Sequence, residues 1–175
     1  FGIPVYRDSV ELSFGRKTSM EIFIILGLIL LNGVFSMSEI AIISSRRARL
    51  EIDAKNGSKP ARTALRLAEN PDRFLSTIQI GITLIGILTG LFSGEMLAGY
   101  VAVWIAHIEP LTPYSLGIAQ TLIVILVTYL TLIFGELVPK RIGLSVSESA
   151  AKLIAPVMDF LSRVASPFVW VLSAS

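Results

Sequence analysis

Cysteine is missing altogether from the 175-residue chain, which excludes disulfides, thiolate metal sites, iron–sulfur clusters and cysteine nucleophiles. Histidine occurs once, at His107, so a histidine-rich transition-metal centre is excluded too. Charge is sparse: 16% of residues are charged and 53% hydrophobic, and the mean hydropathy is +0.73. A soluble domain of this size carries more charge, so the expected solvent is the bilayer. The formal net charge of +2 is too small to suggest nucleic acid as a partner.

What the chain does have is long apolar runs. Residues 22–43, 74–106 and 116–138 are each long enough for a helix to cross about 30 Å of hydrocarbon. The middle run exceeds one crossing, so it is expected to tilt, bend at its glycines or extend past the membrane. Residues 150–173 carry Lys152, Asp159 and Arg163 and two prolines, Pro156 and Pro167, which suits an amphipathic helix lying along the interface. The fold class is therefore an all-α membrane protein with three transmembrane helices plus juxtamembrane helices. Residues 1–19 have no long apolar core and read as an appended tag or an external arm, with the domain proper at 20–175.

Basic residues give the orientation. Arg46, Arg47, Arg49, Lys55, Lys59, Arg62, Arg66 and Arg73 all lie between the first two runs, and Lys140 and Arg141 follow the third. The positive-inside rule makes these segments and the C-terminus cytoplasmic and leaves the N-terminus outside, with Arg7, Arg16 and Lys17 dissenting. Within 46–70, Gly57 and Pro60 interrupt good helix formers, so two short cytoplasmic helices joined by a turn are expected. His107 reads as a solvated or interfacial residue, and Asp159 and Arg163, four apart, as a local ion pair.

Polar residues enter the apolar runs in a helical pattern. Asn32, Ser36 and Glu39 share one face of the first; Gln79, Thr83, Gly86 and Gly90 share one face of the second; Thr128, Thr131 and Gly135 lie along the third, next to Glu136. Such stripes are costly in lipid unless they face each other or a watery cavity. Gly86, Gly90 and Gly94 also form a small-residue ridge that would serve close helix packing. Pro139 has no N–H, so the carbonyl of Gly135 loses its helical donor. A free carbonyl beside a carboxylate and serine hydroxyls makes an all-oxygen cluster suited to a hard cation such as Mg2+. No histidine, cysteine or aspartate lies within the three runs, so an enzyme is not expected.

Four segments carry a resemblance: Asn32-Gly33-Val34-Phe35-Ser36-Met37-Ser38-Glu39-Ile40-Ala41, Arg46-Arg47-Ala48-Arg49-Leu50, Gln79-Ile80-Gly81-Ile82-Thr83-Leu84, and Phe134-Gly135-Glu136-Leu137-Val138-Pro139-Lys140. In this order and spacing the chain resembles the transmembrane domain of the CorC and cyclin M magnesium transporter family. The resemblance implies a homodimer in the cell membrane and a cytosolic pair of CBS domains, expected beyond this segment in the full-length chain. It also implies Mg2+ efflux coupled to Na+ entry. Carried over residue by residue, the ligands fall on Ser36, with Ser38 beside it, and on Gly135 and Glu136. Many relatives have an asparagine where this chain has Gly86, a departure that removes a side-chain ligand. Glu39, Asn32, Gln79 and Thr83 are further candidates for a coupling-ion site. The competing readings are a non-transporting anchor or sensor for the CBS domains and a sodium-driven carrier of another substrate.

Overall fold

The computed structural model describes residues 4–93 and 97–173, without the side chains of 4–19 and 165–173; residues 1–3 of the expected N-terminal extension and Gly94 lie outside the described residues, and the backbone of the rest of that extension belongs to the first helix. Among the described residues eight α-helices follow one another: α1 (Pro4–Ser44), α2 (Arg47–Lys55), α3 (Lys59–Glu69), α4 (Pro71–Phe92), α5 (Ala98–Ile105), α6 (Ser115–Leu132), α7 (Val138–Ser145) and α8 (Ser147–Ser173). A 3-10 segment, Glu109–Tyr114, precedes α6, and a π-turn, Ile133–Leu137, joins α6 to α7. Among the described residues there is no strand, as an all-α membrane fold requires. Three stretches of the described residues are long and apolar enough to cross a membrane: Met20–Ser44, Phe74–Phe92 and Pro110–Ser145. Helix α4 ends at Phe92 and α5 begins at Ala98, and residues 94–96 between them lie outside the described residues.

The chain divides into two compact units. The first comprises Phe1–Ile29 and Gly86–Leu130. Its core is aliphatic: Ile25 and Ile29 of α1 pack on Ile123 and Val127 of α6, with Phe92 and Val101 around them. Ala98 and Ala119, both fully buried, have no side chain beyond Cβ, which brings α5 and α6 close together. Trp104 in the last turn of α5 and Tyr114 at the end of the 3-10 segment are exposed, as rings at a headgroup boundary would be. His107 is exposed there, with Nδ1 2.8 Å from the carbonyl of Val103.

The second unit comprises Leu30–Ile85 and Thr131–Ser175. Its charged end is built from α2, α3 and α8. Helix α2 closes in a Schellman motif: Ser58 N–H bonds Asp53 O at 3.0 Å and Gly57 N–H bonds Ala54 O at 3.2 Å, with Gly57 at φ +93°. That left-handed position suits glycine and reverses the chain. Ser58 then caps α3 by accepting from Ala61 N–H at 3.3 Å. The two short helices expected over 46–70 are thus held by one glycine and one serine. Helix α8 buries Ala150, Ala151, Ile154, Ala155 and Met158, the spacing of one helix face, and packs on α3 and α7. Its other side exposes Leu153, Val157, Phe160 and Val164, the second apolar face of a helix lying at an interface.

Small residues set the packing in the rest of this unit. A Cβ on Gly33 would lie 2.8 Å from the carbonyl oxygen of Phe134 and 2.9 Å from Pro139 Cγ. One on Gly81 would collide with the Phe35 ring, and one on Gly143 would lie 2.5 Å from Ile40 Cγ2. Backbone and a proline ring cannot step aside, so Gly33→Ala should cost about 1–3 kcal/mol by overpacking. Gly90→Ala, whose Cβ meets nothing within 4 Å, serves as the control. Thermal unfolding in detergent should show a lower midpoint for the first and none for the second.

Candidate cation site

Helix α1 enters the second unit with its polar stripe inward. Asn32 is 7% exposed, Ser36 1% and Ser38 0%. The Ser38 hydroxyl turns back on its own helix and donates to Val34 O at 2.5 Å, which leaves its oxygen lone pairs for another partner. Opposite α1 lies the π-turn, where Val138 N–H bonds Ile133 O, five residues back. The wider register is the local answer to Pro139: an α-helical bond to Gly135 O cannot form, and the ring needs room.

The freed carbonyl of Gly135 is satisfied by a residue 103 positions away: Asn32 Nδ2 donates to it at 3.1 Å. That bond fixes the amide orientation, because a flipped amide would set two acceptors against each other. The consequence is that Asn32 Oδ1 is buried and has no hydrogen-bond partner among the described residues. A buried, unpaired amide oxygen costs about 1–3 kcal/mol, so the geometry holds an acceptor in readiness for a donor or a cation. Asn32, a further candidate by its position in the sequence, is brought together with Gly135; Ser36, four residues on, shares the Asn32 face of α1, whereas Ser38 lies well round the helix from both.

Glu136 stands on the next residue and has a different setting. Its carboxylate is 45% exposed, and its Oε1 lies 2.8 Å from Lys140 Nζ. The same ammonium lies 3.9 Å from Glu39 Oε2. Two carboxylates and one ammonium leave this trio with a net charge of −1, close in sequence to Ser38 and Gly135. Lys140, which reads in the sequence as a positive-inside anchor, is a charge partner here.

Helix α4 does not follow the expected stripe. Gln79, Thr83 and Gly86 are exposed, and a Cβ on Gly86 meets nothing within 4 Å. The inward residues are instead Thr77, Ile78 and Ile85, all buried, with Gly81 against Phe35. Gln79 and Thr83 are therefore not brought to Asn32 and Gly135, and Gly86 falls in the other unit. In the first unit, Glu21 Oε2 is also buried without a partner among the described residues, a feature at the very start of the first span that hydropathy alone does not single out. Among the described residues no three histidines, cysteines, aspartates or glutamates could hold a metal together, so a cation here would rest on neutral oxygens with carboxylates nearby.

Comparison with known proteins settles the lineage. The family model described as the cyclin M transmembrane N-terminal domain matches residues 23–175. The chain belongs to the cyclin M transmembrane family. It is 47% identical over 162 residues to the UPF0053 protein sll0260 of Synechocystis sp., covering 93% of this chain and 36% of the relative. It is 35% identical over 153 residues to the polyamine export protein of Salmonella typhimurium, covering 87% and 34%, and 33% identical over 164 residues to that of Haemophilus influenzae, covering 86% and 36%. The chain thus spans about a third of the length of these cyclin M family relatives.

Proposed function

We propose that this domain carries a cation through the membrane, with Mg2+ exported against Na+ entry, and that the cation rests between α1 and the π-turn. The buried, unpartnered Oδ1 of Asn32 beside the Gly135 carbonyl carries the reading. Asn32 Oδ1, Gly135 O and the hydroxyl of Ser36 offer neutral hard oxygens, and retained waters would complete an octahedral shell; Ser38, whose hydroxyl donates to Val34 O on another side of α1, is left out. Glu136 and Glu39 supply long-range attraction, and Lys140 neutralises part of their charge while the site is empty. Gly86 has no side chain to offer and is left out. Alternating access would bend the helices at Pro139 and the nearby π-turn. The segment would act as a homodimer in the cell membrane, N-terminus outside, with its C-terminus leading to a cytosolic CBS pair.

The names of the Salmonella and Haemophilus relatives favour a second reading, polyamine export. A primary ammonium also seeks buried acceptors and carboxylates, so Asn32 Oδ1 and the Glu39–Glu136 pair could receive one. Flux in proteoliposomes holding the full-length protein separates these readings. Mg2+ movement that needs an opposing Na+ gradient supports the first, and putrescine movement with no Mg2+ flux supports the second. A folded protein that moves neither would be an anchor or sensor, contrary to both.

A further inference from the structure

At the charged end of the second unit, a cavity of about 350 Å³ opens between α3 and α8. Arg66, Asn70, Phe74, Asp159, Ser162 and Arg163 line it. Asp159 grips both arginines: Arg66 Nη2 lies 2.6 Å from Oδ1 and Arg163 Nη2 2.8 Å from Oδ2. The Asp159 side chain is only 19% exposed, while the side chains of Arg66 and Arg163 are 52% and 66% exposed. The anion is therefore at the back and two cations are at the mouth. Each guanidinium has five N–H donors in a planar fork and gives one nitrogen to Asp159, so donors remain for a second anion. The cavity wall keeps a net charge of +1.

Its position is as informative as its charge. Phe74, which lines the cavity, is also the first residue of the second candidate span, so the cavity adjoins the end of an apolar stretch long enough to cross a membrane. Phe160 and Val164, on either side of the turn that carries Arg163, are exposed and offer an apolar shelf beside the guanidinium. Residues 46–73 hold eight basic and four acidic residues, a surplus of 8 − 4 = +4, which draws anions to this surface.

We infer that this cavity is a binding site for a phosphate group, with Arg66 and Arg163 as the paired ligands and Asp159 as the carboxylate that occupies one nitrogen of each and competes with the phosphate for them. The shared chemistry is a phosphate oxygen accepting charge-assisted bonds from two guanidiniums. The source is an anionic phospholipid headgroup in the same leaflet or a soluble phosphate. This site is separate from the cation site and does not depend on what the domain transports.

The test uses the full-length protein in detergent and follows its melting midpoint against dioctanoyl phosphatidylglycerol, dioctanoyl phosphatidylcholine and sodium phosphate. The wild type should respond to phosphatidylglycerol at a concentration at least about tenfold lower than to phosphatidylcholine. Arg66→Gln with Asp159→Asn and Arg163→Gln, which removes the charges together and strands none, should abolish that preference. Asp159→Asn alone, which frees both forks, should keep or sharpen it, and this variant decides the matter should the triple variant not fold. Arg62→Gln, on the same helix but away from the cavity, should leave it unchanged. If sodium phosphate at equal concentration reproduces the shift and the triple variant abolishes that too, the site holds soluble phosphate. An unaltered preference in the triple variant, or an equal loss in Arg62→Gln, would overturn the site.

Discussion

Asn32→Leu is expected to abolish transport while leaving the helices in place. Leucine nearly matches asparagine in volume, so packing is kept, but two things go at once: the donor to Gly135 O at 3.1 Å and the buried Oδ1. The first loss leaves a buried carbonyl without its side-chain partner, at a cost of about 1–3 kcal/mol, and should lower the melting midpoint by a few degrees. The second loss removes the acceptor on which cation binding depends. Ser36→Ala takes away one hydroxyl and leaves the Asn32–Gly135 link intact, so its flux should fall less and its midpoint hardly move. Flux and unfolding measured on the same preparations separate the two contributions: a flux loss that merely tracked stability would point to a structural asparagine.

Glu136→Gln should weaken divalent cations more than monovalent ones. The substitution takes the trio of Glu39, Glu136 and Lys140 from a net −1 to zero. For a unit charge roughly 8 Å from the bound ion, with an effective dielectric of about 40 for a half-exposed carboxylate, the interaction is about 1 kcal/mol per charge. That is about 2 kcal/mol for Mg2+, or roughly thirtyfold in affinity, against about fivefold for Na+. Adding Lys140→Met restores the net −1 through Glu39 alone and should recover part of the loss. Concentration dependence of Mg2+ flux in the three proteins is the check. A double variant no better than Glu136→Gln would mean that Glu136 acts by direct contact and not through the local charge.

The parts of this molecule that sequence could specify were those with a local cause. Gly57 announces the turn between α2 and α3, Pro139 announces the loss of a helical bond at Gly135, and the spacing of Asn32 and Ser36 places both on one face, which the fold buries. What it could not specify was which side of a span faces protein. In lipid, inward and outward faces are both apolar, so the polar stripe of Gln79 and Thr83 looked as inward as that of α1, yet it is Thr77 and Gly81 that meet protein. Pairings between distant segments were hidden for a related reason. Lys140 with Glu39, and Arg66 with Asp159, join residues whose proximity follows only from the packed helices.

The central claim is that a cation binds at Asn32 and Gly135, and it is met most directly by Mg2+-dependent stabilisation of the full-length protein, wild type against Asn32→Leu, in nucleotide-free buffer. A ligand at a hundred times its dissociation constant stabilises the state that binds it by about 2.7 kcal/mol. The wild-type melting midpoint should therefore climb and saturate with Mg2+, and that of Asn32→Leu should stay flat at every concentration. An equal rise in both proteins would place the ion elsewhere and contradict the site described here.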